Sequence, residues 1–182
     1  TGAVGNAAVQ LAKIWGARVL AGISDPAQQS AVLQAGADAT IDLSREDLRN
    51  SLREEVFAAN GGAGVDIVID PLGGDVFDAA IRALAWCGRL VVVGFAAGRI
   101  PEIRVNYLLL KNIEVSGLQV SDYRKRQPER MAACFGELFA LYEAGRLVPA
   151  ASIAFPLDQF QEAFVCLGDR TMKERVILLP GG

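Results

Sequence analysis

Residues 65–70 read VDIVID and residues 89–95 read RLVVVGF. Neither run alternates polar and apolar positions cleanly, and the second is apolar through its middle. Strands of this kind are expected to be buried on both faces, as in a parallel sheet covered by helices. Working outward, residues 18–23 (RVLAGI) and 39–43 form two earlier short β-type runs, and residues 113–118 a later one. Between them lie segments with helical spacing. Residues 27–35 stop at Gly36. Residues 44–59 open on Ser44, with Asp47 in the place of a capping-box acid, and end at Asn60-Gly61-Gly62. Residues 75–86 read as a further helix. Strand and helix alternating at this spacing imply βαβ units with right-handed crossovers, and so a doubly wound parallel α/β sheet of the Rossmann type.

The chain opens TGAVGNAAVQLAK. Gly2 and Gly5 precede a helix whose apolar face reads as Val4, Ala8, Leu11 and Trp15. In a dinucleotide fingerprint one such glycine lets the backbone approach a pyrophosphate and the next allows tight helix–strand packing. The helix mouth then supplies free N–H groups. An ordinary glycine-containing turn has the same look; the βαβ series that follows favours the nucleotide reading. In a doubly wound sheet the strand before this turn is central. The sequence is therefore expected to be a C-terminal part of a longer protein.

After Leu118 the rhythm changes. Residues 121–128 hold Arg124, Lys125 and Arg126 in what reads as a solvated loop. A long amphipathic helix follows over residues 129–144, with Met131, Phe135, Leu138, Phe139 and Tyr142 on one face. A strand near 153–155, a helix near 157–167 and a strand at 175–179 complete the chain.

Composition sets limits. The 182 residues are 52% hydrophobic and 21% charged, enough apolar side chain for a full core. The formal net charge of −3 argues against a nucleic-acid surface. No apolar run reaches the roughly 20 residues of a bilayer span, and no export signal is apparent. The sequence has no histidine, which removes every imidazole acid, base or metal ligand. Cys87, Cys134 and Cys166 form no C-x-x-C pair and read as buried hydrophobes in a reducing, cytoplasmic setting.

The segments GAVGNAAVQLAK, GADATIDL, GVDIVIDPLGGDVF, LAWCGRLVVVGFAAGRIP and NYLLLKNIEVSGL together resemble the zinc-independent branch of the medium-chain dehydrogenase/reductases. They are most similar to NADPH-dependent quinone oxidoreductases. The resemblance spans essentially the whole chain. It implies a nucleotide-binding domain over residues 1–120 and a segment, 121–182, that returns to a GroES-like substrate domain. It also implies a homodimer joined through the last Rossmann strand, residues 113–118, and a small-molecule substrate.

The resemblance places cofactor contacts at Gly2, Ala3, Val4 and Gly5 for the pyrophosphate, and at Ser24 beside the adenosine ribose. Asp70 and Pro71 border the cleft, Gly94 and Phe95 lie on the nicotinamide side, and Leu118 lines the same crevice. The family lysine four residues after the serine is Gln28 here, and the family tyrosine after the next strand is Leu43. An acid at the end of the second strand would mark an NAD site; Ile23-Ser24 carries none. NADPH is the expected cofactor and NADH a possible one. Arg45 is close enough in sequence to bind the phosphate in place of that lysine and tyrosine.

No general acid sits in a family pattern, and no catalytic residue or metal ligand is assigned. The implied reaction is hydride transfer to a quinone or an activated C=C or C=O bond. An enoyl (acyl-thioester) reductase and a non-catalytic nucleotide-binding protein are the alternatives. A methyltransferase would want an acid at the second strand end. The 182-residue chain is expected to bind nucleotide and to turn over no substrate; steady NADPH consumption with a quinone would refute this.

Overall fold

The computed structural model describes residues 2–168 and 174–180. The chain packs as two units, Thr1–Ala140 and Leu141–Gly182. In the first, helix α1 (Ala3–Ile14) leads to strand β1 (Leu20–Ile23). A 3₁₀ turn and α2 (Gln29–Gln34) connect β1 to β2 (Ala39–Asp42). Helix α3 (Leu48–Ala59), β3 (Val65–Asp70), α4 (Gly74–Ala83) and β4 (Leu84–Val92) follow, then α5 (Asn106–Lys111), β5 (Glu114–Gly117) and α6 (Val120–Arg126). Strands β1 and β2 pair in parallel, and β3–β4–β5 form a second parallel ladder.

No ladder among the described residues joins these two sheets. Helices α3 and α4 join them instead. Leu48, Leu52 and Val56 of α3 pack with Ala79 and Ala83 of α4, and the cluster takes in Leu20, Ile41 and Val65 from three strands. A second cluster under β4 gathers Phe77, Ile81, Leu84, Leu90 and Ile113. Lys111, at the end of α5, donates from Nζ to the carbonyls of Arg82 and Leu84. It thereby satisfies acceptors that the end of α4 leaves open. Burial, with Arg53 and Arg82 nearby, lowers its pKa.

Several expectations from sequence need correction. Helix α1 turns Val9, rather than Val4 and Trp15, into the core formed with Val19, Ala21, Ile23, Val32 and Ala37. Val4 is 47% exposed and Trp15 72%. The capping box at Ser44 does not form. Asp42, two residues back, offers a nearer acceptor for both the Ser44 N–H and its Oγ (2.9 and 2.6 Å), and α3 starts only at Leu48.

Helix α4 ends at Ala83, not near residue 86. Gly64 approaches Ala83 and Leu84 so closely that an added Cβ would lie 2.6 Å from the Ala83 carbonyl oxygen. The strand begins there, bulges through Cys87 (φ 61°) and regains register at Arg89.

The described residues do not cover strand β3 on both faces: Ile67 is 64% exposed and Ile69 48%. The basic triplet Arg124-Lys125-Arg126 forms the last turn of α6 rather than a loop. Cys87 and Cys134 are exposed and Cys166 half-buried, not sealed in a core. Cys87 sits on the bulge. Cys134 lies on the long helix α7 (Pro128–Glu143), which buries none of its residues.

Helix α7 matches the amphipathic segment expected from sequence, and Phe135 stacks with Phe139 at 6.3 Å. In the second unit, β6 (Ser152–Pro156) pairs in parallel with β7 (Arg175–Leu179), linked through α8 (Phe160–Gly168). No helix of the described residues is long and apolar enough to cross a membrane.

One surface tie has a measurable pH signature. Asp38 accepts from Lys13 Nζ at 3.0 Å and from the Val19 N–H at 2.7 Å, fastening α1 to the start of β1. The Val19 hydrogen bond, then Lys13, hold its carboxyl below the ordinary value. A depressed folded-state pKa contributes stability above the unfolded pKa, and that stability is lost as pH falls through the folded value. The Asp38→Asn variant should therefore lose stability at pH 7 and converge with the parent as the pH falls through the carboxylate range below about 4, measured by urea unfolding.

Candidate functional site

Parallel strands place all their carboxyl ends at one edge. Beyond β3, β4 and β5 the chain stays knitted together there. The Val93 N–H donates to the Asp70 carbonyl (2.8 Å) and the Leu118 N–H to the Val92 carbonyl (2.9 Å). The loops after β3 and β4 are then cross-linked. Ala96 and Ala97 donate to the carbonyls of Pro71 and Leu72 (3.1 and 2.9 Å), and Gly74 donates to that of Arg99 (3.0 Å).

Glycines permit this closeness. Gly73 and Gly74 have φ of 69° and 54°, where L side chains are strained. A Cβ on Gly73 would lie 3.0 Å from the Phe95 ring. A Cβ on Gly94 would lie 3.2 Å from the Pro71 carbonyl oxygen. Five of the expected site residues, Asp70, Pro71, Gly94, Phe95 and Leu118, are thus brought into one strip.

Asp70 anchors the strip. It is only 2% exposed, and its Oδ1 accepts from the N–H groups of Leu72 (2.8 Å) and Gly73 (3.0 Å). Its Oδ2 is buried with no hydrogen-bond partner among the described residues. The geometry gives Asp70 the task of holding the turn. Arg99 reinforces it: its guanidinium bonds Asp75 at 2.9 Å and Asp78 at 2.5 Å on α4, and both bonds raise its pKa. Sequence reading missed Arg99, since no local pattern links it to carboxylates more than twenty residues earlier. The Gly73-Gly74 pair directly after Asp70-Pro71-Leu72 was a readable signal for the turn.

The other expected residues lie on the β1 side. The chain leaves α1 at Ile14 and enters β1 at Leu20, and Val9 packs against Val19, Ala21 and Ile23. Helix α1 therefore runs back along β1, and its first turn points toward the edge where Ser24 and Gln28 follow that strand. The first helical hydrogen bond is Asn6 N–H to the Gly2 carbonyl (3.0 Å). The N–H groups of Ala3, Val4 and Gly5 precede it and have no intrahelical acceptor. Gly2 provides no side-chain cap, and the first turn has no acidic residue.

A Cβ placed on Gly2 or Gly5 meets no atom within 4 Å, and neither residue has positive φ. Backbone strain and packing among the described residues therefore do not explain these glycines. Close approach of a ligand to the backbone does explain them. An anion such as a pyrophosphate fits three unsatisfied amides at the positive end of a twelve-residue helix.

At the ends of β1 and β2, the Leu43 N–H donates to the Ile23 carbonyl (2.8 Å), and the Leu43 side chain covers Gly22. Asp25 turns its Oδ1 to the Ala27 N–H (2.9 Å). Ser44 holds the Asp42 carboxyl below its ordinary pKa, with Arg45 adding to the effect.

Residues 3–137 match the family model described as zinc-binding dehydrogenase. The bovine quinone oxidoreductase-like protein 2 is 35% identical over 178 residues, covering 97% of this chain and 50% of the relative. The chain spans about half the length of the curated relatives it matches. Among solved structures, the Escherichia coli quinone oxidoreductase complexed with NADPH aligns with a TM-score of 0.79 at 26% identity, over 98% of this chain and 54% of that one. A 2-haloacrylate reductase aligns with a TM-score of 0.85 at 27% identity, over 100% of this chain and 55% of that one. These likenesses bear out the Rossmann-type α/β fold. The sequence has no histidine, and among the described residues no three Cys, Asp or Glu side chains gather as a metal ion needs. The described residues do not provide a zinc site. Its family match and its kinship to the quinone oxidoreductase-like proteins together show that the chain belongs to the zinc-binding dehydrogenases, in the quinone oxidoreductase-like group of the medium-chain dehydrogenase/reductases.

Proposed function

We propose that this chain is the nucleotide-binding part of an NADPH-dependent, metal-independent oxidoreductase that reduces quinones or activated C=C or C=O bonds. The observation that carries the reading is the uncapped mouth of α1, with two glycines that nothing in the packing of the described residues requires. Bound NADPH supplies the hydride, and the protein supplies orientation and a dry cleft. Ala3, Val4 and Gly5 hold the pyrophosphate through their N–H groups. Ser24 and Gln28 face the adenosine ribose. The locked pair of loops carries Gly94 and Phe95 beside the nicotinamide, with Leu118 behind them. The likeness to the Escherichia coli enzyme in complex with NADPH supports the cofactor, and that to 2-haloacrylate reductase supports an activated C=C acceptor.

In this reading residues 1–120 bind nucleotide, and residues 121–182 return toward a substrate-binding part. The outer edge of β5 is the natural seam for a homodimer, because it ends the β3–β4–β5 ladder and is largely exposed. The exposed thiols suit a reducing, cytoplasmic setting.

Calorimetric titration of the chain with NADPH tests the cleft. The parent chain should bind one equivalent. Gly2→Val meets none of the described residues, so its unfolding free energy should fall by no more than the roughly 1 kcal/mol that a poor helix cap costs. Its NADPH affinity should fall by about tenfold or more, because the added side chain keeps the diphosphate from the backbone. Unchanged affinity in Gly2→Val would place the nucleotide elsewhere.

A further inference from the structure

This inference rests on the reading that the ends of β1 and β2 receive the adenosine ribose. Between Arg18 and Arg45 the sequence contains no lysine or arginine. Arg45 is therefore the first cation available to the loops that follow β1 and β2. The cross-strand partner of Ile23 is Asp42, and the Leu43 N–H bonds the Ile23 carbonyl, so the loop carrying Arg45 leaves the sheet beside Ser24.

Arg45 is held from one side. Its Nε lies 2.8 Å from Glu55 Oε1 and 3.5 Å from Asp42 Oδ2. Glu55 is itself fixed, because its Oε2 accepts the Asp42 N–H at 2.8 Å. The Oε1 atom is buried and makes no hydrogen bond to the described residues, so its contact with Arg45 is one of charge alone. The Arg45 side chain is 56% exposed, and no hydrogen bond to the described residues takes up its two Nη groups.

A planar Nη pair suits a phosphate better than a freely rotating ammonium does. The neighbouring acids are partly occupied. Asp42 Oδ1 serves Ser44 and Asp25 Oδ1 serves Ala27.

We propose that Arg45, positioned by Glu55, is the specificity-determining residue that reads the 2′-phosphate of NADPH. It supplies the positive charge that the neutral side chains of Gln28 and Leu43 do not. Glu55 is a positioning residue: it aims the fork and touches no ligand. NADH has a hydroxyl at the same place and gains nothing from the Nη pair.

The test is a set of paired titrations with NADPH and NADH on the full chain, for the parent, Arg45→Ala and Arg45→Lys. Arg45→Ala should weaken NADPH binding by about tenfold or more, the worth of one charge-assisted hydrogen bond, and leave NADH binding unchanged. Arg45→Lys should recover part of the loss, because it restores the charge without the planar fork. NADPH affinity indifferent to Arg45→Ala, with NADH binding intact, overturns the assignment alone. Equal loss for both nucleotides also overturns it, since it marks general damage to the cleft. A parent chain that binds neither nucleotide overturns the reading of the cleft, and the assignment falls with it.

Discussion

The structure depends on one electrostatic arrangement: a helix that begins without a cap, at the edge where parallel strands end. Three backbone N–H groups at the start of α1 have no acceptor in the helix, and no side chain in the first turn supplies one. A Ser or Asp cap would meet one of these donors, and glycine in its place gives up roughly a few tenths of a kcal/mol. Here glycine stands at the cap position, and a Cβ added there would meet none of the described residues within 4 Å. The local cost makes physical sense when an anion completes the helix end.

The rest of the cleft is organised by rigidity rather than by reactive side chains. The loops after β3 and β4 share three backbone hydrogen bonds, a buried carboxylate and a two-acid grip on Arg99. Phe95 and Gly94 are therefore tied to the turn of Asp70 and Pro71. Cofactor enzymes need this kind of preorganisation, because the chemistry resides in the cofactor and the protein's contribution is placement. The Asp70 carboxylate acts through backbone amides two and three residues on. Its Oδ1 bonds brace the turn that follows β3.

Much of this was legible in the sequence, for identifiable reasons. Strand and helix order followed from apolar runs separated by helical spacing, and β7 (Arg175–Leu179) fell where its run of five residues lies. The glycine turn was readable because Gly2 and Gly5 open a βαβ series. What the sequence hid were choices settled by tertiary contacts. Which face of α1 is buried depended on Val9 finding β1. The end of α4 was set by Gly64 pressing on the backbone of Ala83 and Leu84. Ser44 abandoned its helix for Asp42. The pairings of Arg99 with Asp75 and Asp78 and of Arg45 with Glu55 join residues separated by ten or more positions, and no local pattern encodes them.

The most direct measurement is a crystal structure of the chain soaked with NADPH. The account predicts the diphosphate within hydrogen-bond distance of the N–H groups of Ala3, Val4 and Gly5, with the nicotinamide against Phe95. A nucleotide bound away from the start of α1, or density absent there at saturating NADPH, would contradict it.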